Sequence, residues 1–131
     1  MTVPTLTNIH HVALTVTDAD ASAAWYSDLL GLSEVLRGDD ETVSFRVLAG
    51  PGIMLGVRQY RTHPADRFSE FRTGLDHVAI GVPSRADLEA WQARLEERGV
   101  VFTPIAQTPI GSVIVFRDPD GIQLEFWLPA D

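Results

Sequence analysis

Two stretches of the chain share one pattern of apolar and polar positions. Ile9-His10-His11-Val12-Ala13-Leu14-Thr15-Val16 alternates in the manner of a half-buried strand, and Leu75-Asp76-His77-Val78-Ala79-Ile80-Gly81-Val82 repeats it. His11 and His77 stand 77 − 11 = 66 positions apart, and the same offset carries Trp25 onto Trp91 (91 − 25 = 66). Two features at one spacing point to a duplicated unit. After the first strand, at about 8–16, Asp18 is a candidate N-cap, and Ala21, Trp25 and Leu29 recur at helical spacing up to Gly31. After the second, Ser84 and Asp87 form a capping signal, and Leu88, Trp91 and Leu95 lead to Gly99.

Each helix is followed by three short β-rich runs with glycine and proline between them. They fall at about 33–37, 42–48 and 53–60 in the first unit and at about 100–105, 111–117 and 122–128 in the second. The turn Asp118-Pro119-Asp120-Gly121 delivers the chain into the last run, as Gly50-Pro51-Gly52 does in the first unit. Aligning Gly52 with Gly121 sets Gly56 opposite Glu125. Each unit therefore reads β-α-β-β-β, an α+β arrangement of two tandem modules. The expected bounds are about 8–61 for module one, about 62–73 for a charged, proline-containing linker or flap, and about 74–129 for module two.

Composition narrows the picture further. At 131 residues and 14.4 kDa the chain suits one domain, and 45% hydrophobic with 21% charged residues is a globular balance. Ten basic against 18 acidic residues leave a net charge of −8, which argues against a nucleic-acid partner. The absence of cysteine excludes disulfides, thiolate metal ligands and a thiol nucleophile. With no signal-like start and no apolar run long enough to span a bilayer, the expectation is a cytoplasmic protein with no membrane partner.

Strand alternation sorts the candidate chemistry onto faces. Val12, Leu14 and Val16, with Val78, Ile80 and Val82, would pack under the helices; His11, Ala13 and Thr15, with His77, Ala79 and Gly81, point the other way. In the last run Ile122, Leu124 and Phe126 form the apolar face, and Gln123, Glu125 and Trp127 the opposite one. A lone strand histidine is ordinarily a packing or surface residue. His11, His77 and Glu125 on repeat-related strands make the minimal ligand set for a divalent metal with open positions. Arg58, on the face of Met54 and Gly56, is a candidate contact for an anionic substrate group. Thr15, Gln123 and Trp127 are candidate wall or hydrogen-bonding residues, and Arg46, grouped with Thr42 and Ser44, is a further candidate substrate contact. His10 and Asp76 fall on the opposite face and read as structural, and Trp25 and Trp91 as helix core. No residue stands out as a catalytic acid or base.

The paired His-Val-Ala strands, the Trp-Tyr helix ending in Leu-Gly-Leu, and the segment Phe116-Arg117-Asp118-Pro119-Asp120-Gly121-Ile122-Gln123-Leu124-Glu125-Phe126 resemble the vicinal oxygen chelate superfamily. That group includes glyoxalase I, extradiol dioxygenases, fosfomycin-resistance transferases, methylmalonyl-CoA epimerase and bleomycin-resistance binding proteins. The resemblance spans about residues 8–129 and implies a curved, cup-shaped mixed sheet built from the two modules. It implies a divalent ion (Zn, Fe, Mn or Ni) on His11, His77 and Glu125, and a small substrate chelating it through neighbouring oxygens, in a lyase, isomerase or dioxygenase reaction. Metal-free sequestration of a drug or metabolite is the alternative. Gly56 stands where glyoxalase I has a further metal-binding glutamate, which weighs against a glyoxalase-type isomerase. No basic extension follows Trp127, and extradiol dioxygenases are mostly about twice as long. The resemblance also implies a homodimer in which His11 of one chain meets His77 and Glu125 of the other.

Overall fold

Asp18 opens the first helix by accepting a hydrogen bond from the Ala21 N–H (3.0 Å), and Gly31 closes it. Ser84 accepts from the Asp87 N–H (3.1 Å) at the start of the second. The computed structural model describes residues 2–64 and 66–131; Met1, and Ala65 within the expected linker, lie outside the described residues. The chain forms two compact units, residues 1–65 and 66–131. Each is a four-stranded mixed sheet with one helix, so the two-module α+β organisation stands.

The first unit runs β1 (Val12–Thr15), α1 (Ala19–Leu30), β2 (Ser33–Asp39), β3 (Val43–Gly50) and β4 (Ile53–Tyr60), in sheet order β1-β4-β3-β2. The second runs β5 (Val78–Gly81), α2 (Arg85–Glu97), β6 (Phe102–Thr108), β7 (Gly111–Arg117) and β8 (Gln123–Pro129), in order β5-β8-β7-β6. In both, the first strand lies parallel to the last and the other pairings are antiparallel. The duplication extends to irregularities. The edge strands β2 and β6 each shift register, between Glu34 and Leu36 and between Thr103 and Ala106, where Pro104 removes a donor.

Helix α1 packs on β3 and β4 and α2 on β6 and β8, so each sheet has one helix-covered face. Leu14, Val16, Leu48, Leu55 and Val57 are buried in the first unit, and Ile114, Phe116, Leu124 and Phe126 in the second. The stripe on α1 differs from the expected one. Ala19, Ser22, Ala23, Tyr26 and Leu29 are buried, whereas Ala21 is exposed and Trp25 only half-buried. The 3.6-residue period admits either phase, and the helix turns the fully buried Tyr26 inward while Trp25 packs edge-on against it, ring centroids 4.8 Å apart. On α2, Leu88 and Leu95 are buried and Trp91 stacks on Phe126 at 4.6 Å, as the pattern predicts.

At the turn into β8, Asp118 Oδ1 accepts from the N–H groups of Asp120 (2.9 Å) and Ile122 (2.8 Å). Gly121 there has φ +80°, as Gly52 has φ +76° at the equivalent turn into β4, a conformation in which a Cβ is strained. The segment after Ala65 belongs with the second unit: the Phe68 N–H donates to the Asp120 carbonyl at 3.2 Å. Among the described residues no helix is long and apolar enough to cross a membrane.

Candidate functional site

The register fixes what the repeat alignment predicts. Ala13 pairs with Gly56 across β1 and β4, and Ala79 with Glu125 across β5 and β8, so Gly56 and Glu125 occupy equivalent places. Likewise Thr15 pairs with Arg58, and Gly81 with Trp127. His11 and His77 each immediately precede the first strand of their unit.

In the second unit the face opposite α2 carries Gln123, Glu125 and Trp127, alternating with buried Leu124 and Phe126. The Glu125 side chain is only 12% exposed, and among the described residues no arginine pairs with it. Its Oε1 accepts from Trp127 Nε1 at 2.6 Å and lies 3.3 Å from His77 Nε2. A polar group so withdrawn from water calls for hydrogen-bond donors or a positive charge beside it. The imidazole is oriented from behind, because Asp76 Oδ1 lies 2.6 Å from His77 Nδ1. A carboxylate accepts here, so Asp76 takes a hydrogen bond from Nδ1 and leaves Nε2 as the ring nitrogen that faces Glu125.

Asp76 is itself held. Gln123 Nε2 donates to its Oδ1 (3.1 Å) and carbonyl (3.2 Å), Arg117 donates to Gln123 Oε1 (3.2 Å), and Glu70 grips Arg117 through two bonds of 3.0 and 3.1 Å. A polar chain thus runs from Glu70 through Arg117, Gln123 and Asp76 to His77 and Glu125. Strand alternation placed Asp76 away from the site, but β5 begins only at Val78, so residues 76 and 77 escape that alternation. An acid directly before a candidate ligand histidine was the available signal. Glu70 and Arg117 meet across 47 positions and left none.

The Arg117 hydrogen bonds hold the Glu70 carboxyl down at about 2, against 4.5 for the free group. A carboxyl lowered on folding adds stability that is complete above its unfolded value and disappears as pH falls through its folded one. The melting-temperature difference between the parent protein and Glu70→Gln is therefore expected at neutral pH, to shrink below about pH 4.5 and to vanish near pH 2. A difference independent of pH in thermal melts would refute this.

In the first unit, His11 Nδ1 lies 2.8 Å from His10 Nδ1, and both rings border a pocket of about 410 Å³ that also takes in Phe45, Met54, Gly56 and Arg58. Thr15 is exposed on this helix-free face. Arg46 departs from expectation. Its guanidinium, 4% exposed, lies on the α1 side, where Nε bonds Asp20 Oδ1 (3.0 Å) and Nη1 bonds Asp39 Oδ1 (3.1 Å) and the Phe45 carbonyl (2.8 Å). Alternation along β3 buries Ser44, Arg46 and Leu48 on one side and turns Phe45 and Val47 to the other, so Arg46 is a structural cation with satisfied donors. In the second unit the same register place is taken by buried Ile114, paired with Phe126 as Arg46 is with Val57.

His77 and Glu125 thus supply two donors of types suited to a divalent ion, with an outer carboxylate fixing the imidazole tautomer. Among the described residues no group of three histidine or acidic side chains is arranged to hold a metal.

A solved structure, the glyoxylase/bleomycin resistance protein/dioxygenase domain from Frankia sp. EAN1pec, matches with a TM-score of 0.89 at 38% identity, covering 96% of this chain and 100% of that one. YaeR of Escherichia coli strain K12, an uncharacterized protein, is 29% identical over 93% of this chain and 96% of its own length. The metallothiol transferase FosB of Shouchella clausii is 27% identical over 89% of this chain and 77% of its own. The family profile matches residues 8–126, nearly the whole of both βαβββ units, and the chain belongs to the Glyoxalase/Bleomycin resistance protein/Dioxygenase superfamily.

Proposed function

We propose that the protein is a metal-dependent enzyme of the lyase, isomerase or dioxygenase kind, acting on a small substrate that offers two neighbouring oxygens to a divalent ion. The observation that carries this reading is the nearly buried Glu125 carboxylate with His77 Nε2 3.3 Å away, the imidazole being held at Nδ1 by Asp76. His11, His77 and Glu125 would hold the ion. A divalent ion bound there supplies Lewis acidity toward substrate oxygens and stabilises developing negative charge. The chain's own contributions are separate: Asp76 keeps the His77 proton on Nδ1, and Trp127 Nε1 steadies Glu125. Gly56 offers no second carboxylate where Glu125 has its counterpart, so proton abstraction by a residue at that place is not part of the reading. The likeness to a metallothiol transferase supports metal dependence without specifying the reaction.

The reading includes a homodimer whose sites each take His11 from one chain and His77 with Glu125 from its partner. Metal analysis after reconstitution of protein purified without a histidine tag tests the enzyme reading: one divalent ion per chain is expected, and no binding favours a metal-free sequestration protein. Mixing His11→Ala with His77→Ala chains tests the assembly. Crossed sites put both defects of a heterodimer in one site and leave the other whole, restoring roughly a quarter of the binding at random exchange. No recovery despite verified subunit exchange would rule the crossed arrangement out.

A further inference from the structure

We infer that the helix-free face of the first unit binds a small organic acid, with Arg58 clamping its single carboxylate and the apolar wall around Phe45 and Met54 covering its body. The inference deepens the proposed function, naming the substrate class, and rests on reading this face as the substrate's. Arg58 lies in β4 two residues beyond Gly56, in register with Thr15 and Phe45, on the side away from α1. The guanidinium carbon sits 5.2 Å from the Phe45 ring centroid and 5.7 Å from that of Tyr60, and Nε donates to the Tyr60 hydroxyl at 3.1 Å. Two aromatic faces and one hydrogen bond hold the planar group in place while occupying only Nε. The terminal Nη groups, which form the fork that grips a carboxylate, have no partner among the described residues.

That freedom is unusual in this chain. Acidic residues outnumber basic ones 18 to 10, and Arg37, Arg46, Arg61, Arg72, Arg85, Arg98 and Arg117 each lie within 4.0 Å of a carboxylate. Arg58 does not. Asp40 is farther off, its Oδ1 already taken by the N–H groups of Thr42 (2.7 Å) and Val43 (2.8 Å). Beside the guanidinium, Leu36, Phe45, Val47 and Met54 line the pocket of about 410 Å³, a size suited to a small molecule. Gly56, without a side chain, keeps its floor open: a Cβ there would make only ordinary contact with Ala13, at 3.5 Å. His10, His11 and Arg46 also border this pocket, but the Arg46 guanidinium is spent on Asp20 and Asp39, so Arg58 offers the one open guanidinium, a match for one negative charge on a largely apolar body. A phosphate dianion would leave charge unmatched.

The test is carried out on metal-free protein, so that its outcome is independent of the metal reading. Propanoate, hexanoate and phenylacetate are titrated against their neutral amides and against phenyl phosphate, with binding followed by saturation-transfer NMR and calorimetry. At least one carboxylate is expected to bind about tenfold or more tighter than its amide, and Arg58→Gln to abolish that margin. Arg58→Lys, which keeps the charge but loses the fork, should retain part of it. Absence of binding by every carboxylate, equal affinity for acid and amide, or an unaltered preference in Arg58→Gln would overturn the inference. Tighter binding of phenyl phosphate than of phenylacetate would overturn the single-carboxylate class. Loss of metal binding in Glu125→Gln, by contrast, leaves Arg58-dependent binding in place.

Discussion

Glutamine in place of Glu125 is expected to abolish most divalent-metal affinity while leaving the melting temperature of the metal-free protein close to that of the parent. The amide has the shape of the carboxylate and its oxygen still accepts from Trp127 Nε1, so packing and hydrogen bonding survive. What disappears is the negative charge on a side chain 12% exposed and 3.3 Å from His77 Nε2. A lost ligand charge weakens binding by more than a lost outer partner does. Asp76→Asn, which keeps the size but weakens the hold on His77 Nδ1, is expected to cost roughly 10- to 100-fold, and Glu125→Gln more than that. Competition against a chromophoric chelator measures both. Parent-like affinity in Glu125→Gln would remove the basis for the metal reading.

Phe126→Ala is expected to cost about 3–5 kcal/mol of stability, the largest effect of any single truncation proposed for this protein. Phe126 is 1% exposed and lies stacked between Phe116 (4.7 Å, 24°) and Trp91 (4.6 Å, 23°), joining β8 and β7 to α2. Truncation removes the middle ring of three, and flat neighbours on a sheet and a helix close such a gap poorly. Because Glu125 and Trp127 flank it on β8, the same change should also weaken metal binding in whatever fraction stays folded. Val101→Ala, at a residue 78% exposed, is expected to stay within about 0.5 kcal/mol and serves as the control. Denaturant titration of both variants measures the difference, and a cost below about 1 kcal/mol for Phe126→Ala would show that the stack contributes little.

The features legible in the chain were those governed by neighbours in sequence. Asp18 and Ser84 cap their helices through N–H groups three residues on, and Asp118 organises its turn within four, so capping and turn chemistry marked the starts of both helices and the entry to β8. The 66-residue offset carried the duplication, and strand alternation carried the common face of Gln123, Glu125 and Trp127. Tertiary structure decided the rest. Helical periodicity left the phase of α1 open, and packing against β3 and β4 buried Tyr26 instead of Trp25. Arg46 looked like a substrate contact until Asp20 and Asp39, 26 and 7 positions away, gathered around it. Glu70 and Arg117, and Gln123 and Asp76, meet across 47 residues to steady His77. A sequence can state which donors and acceptors a chain has. Which of them converge depends on register and packing between strands distant along it, and that is where the candidate site acquired its supports.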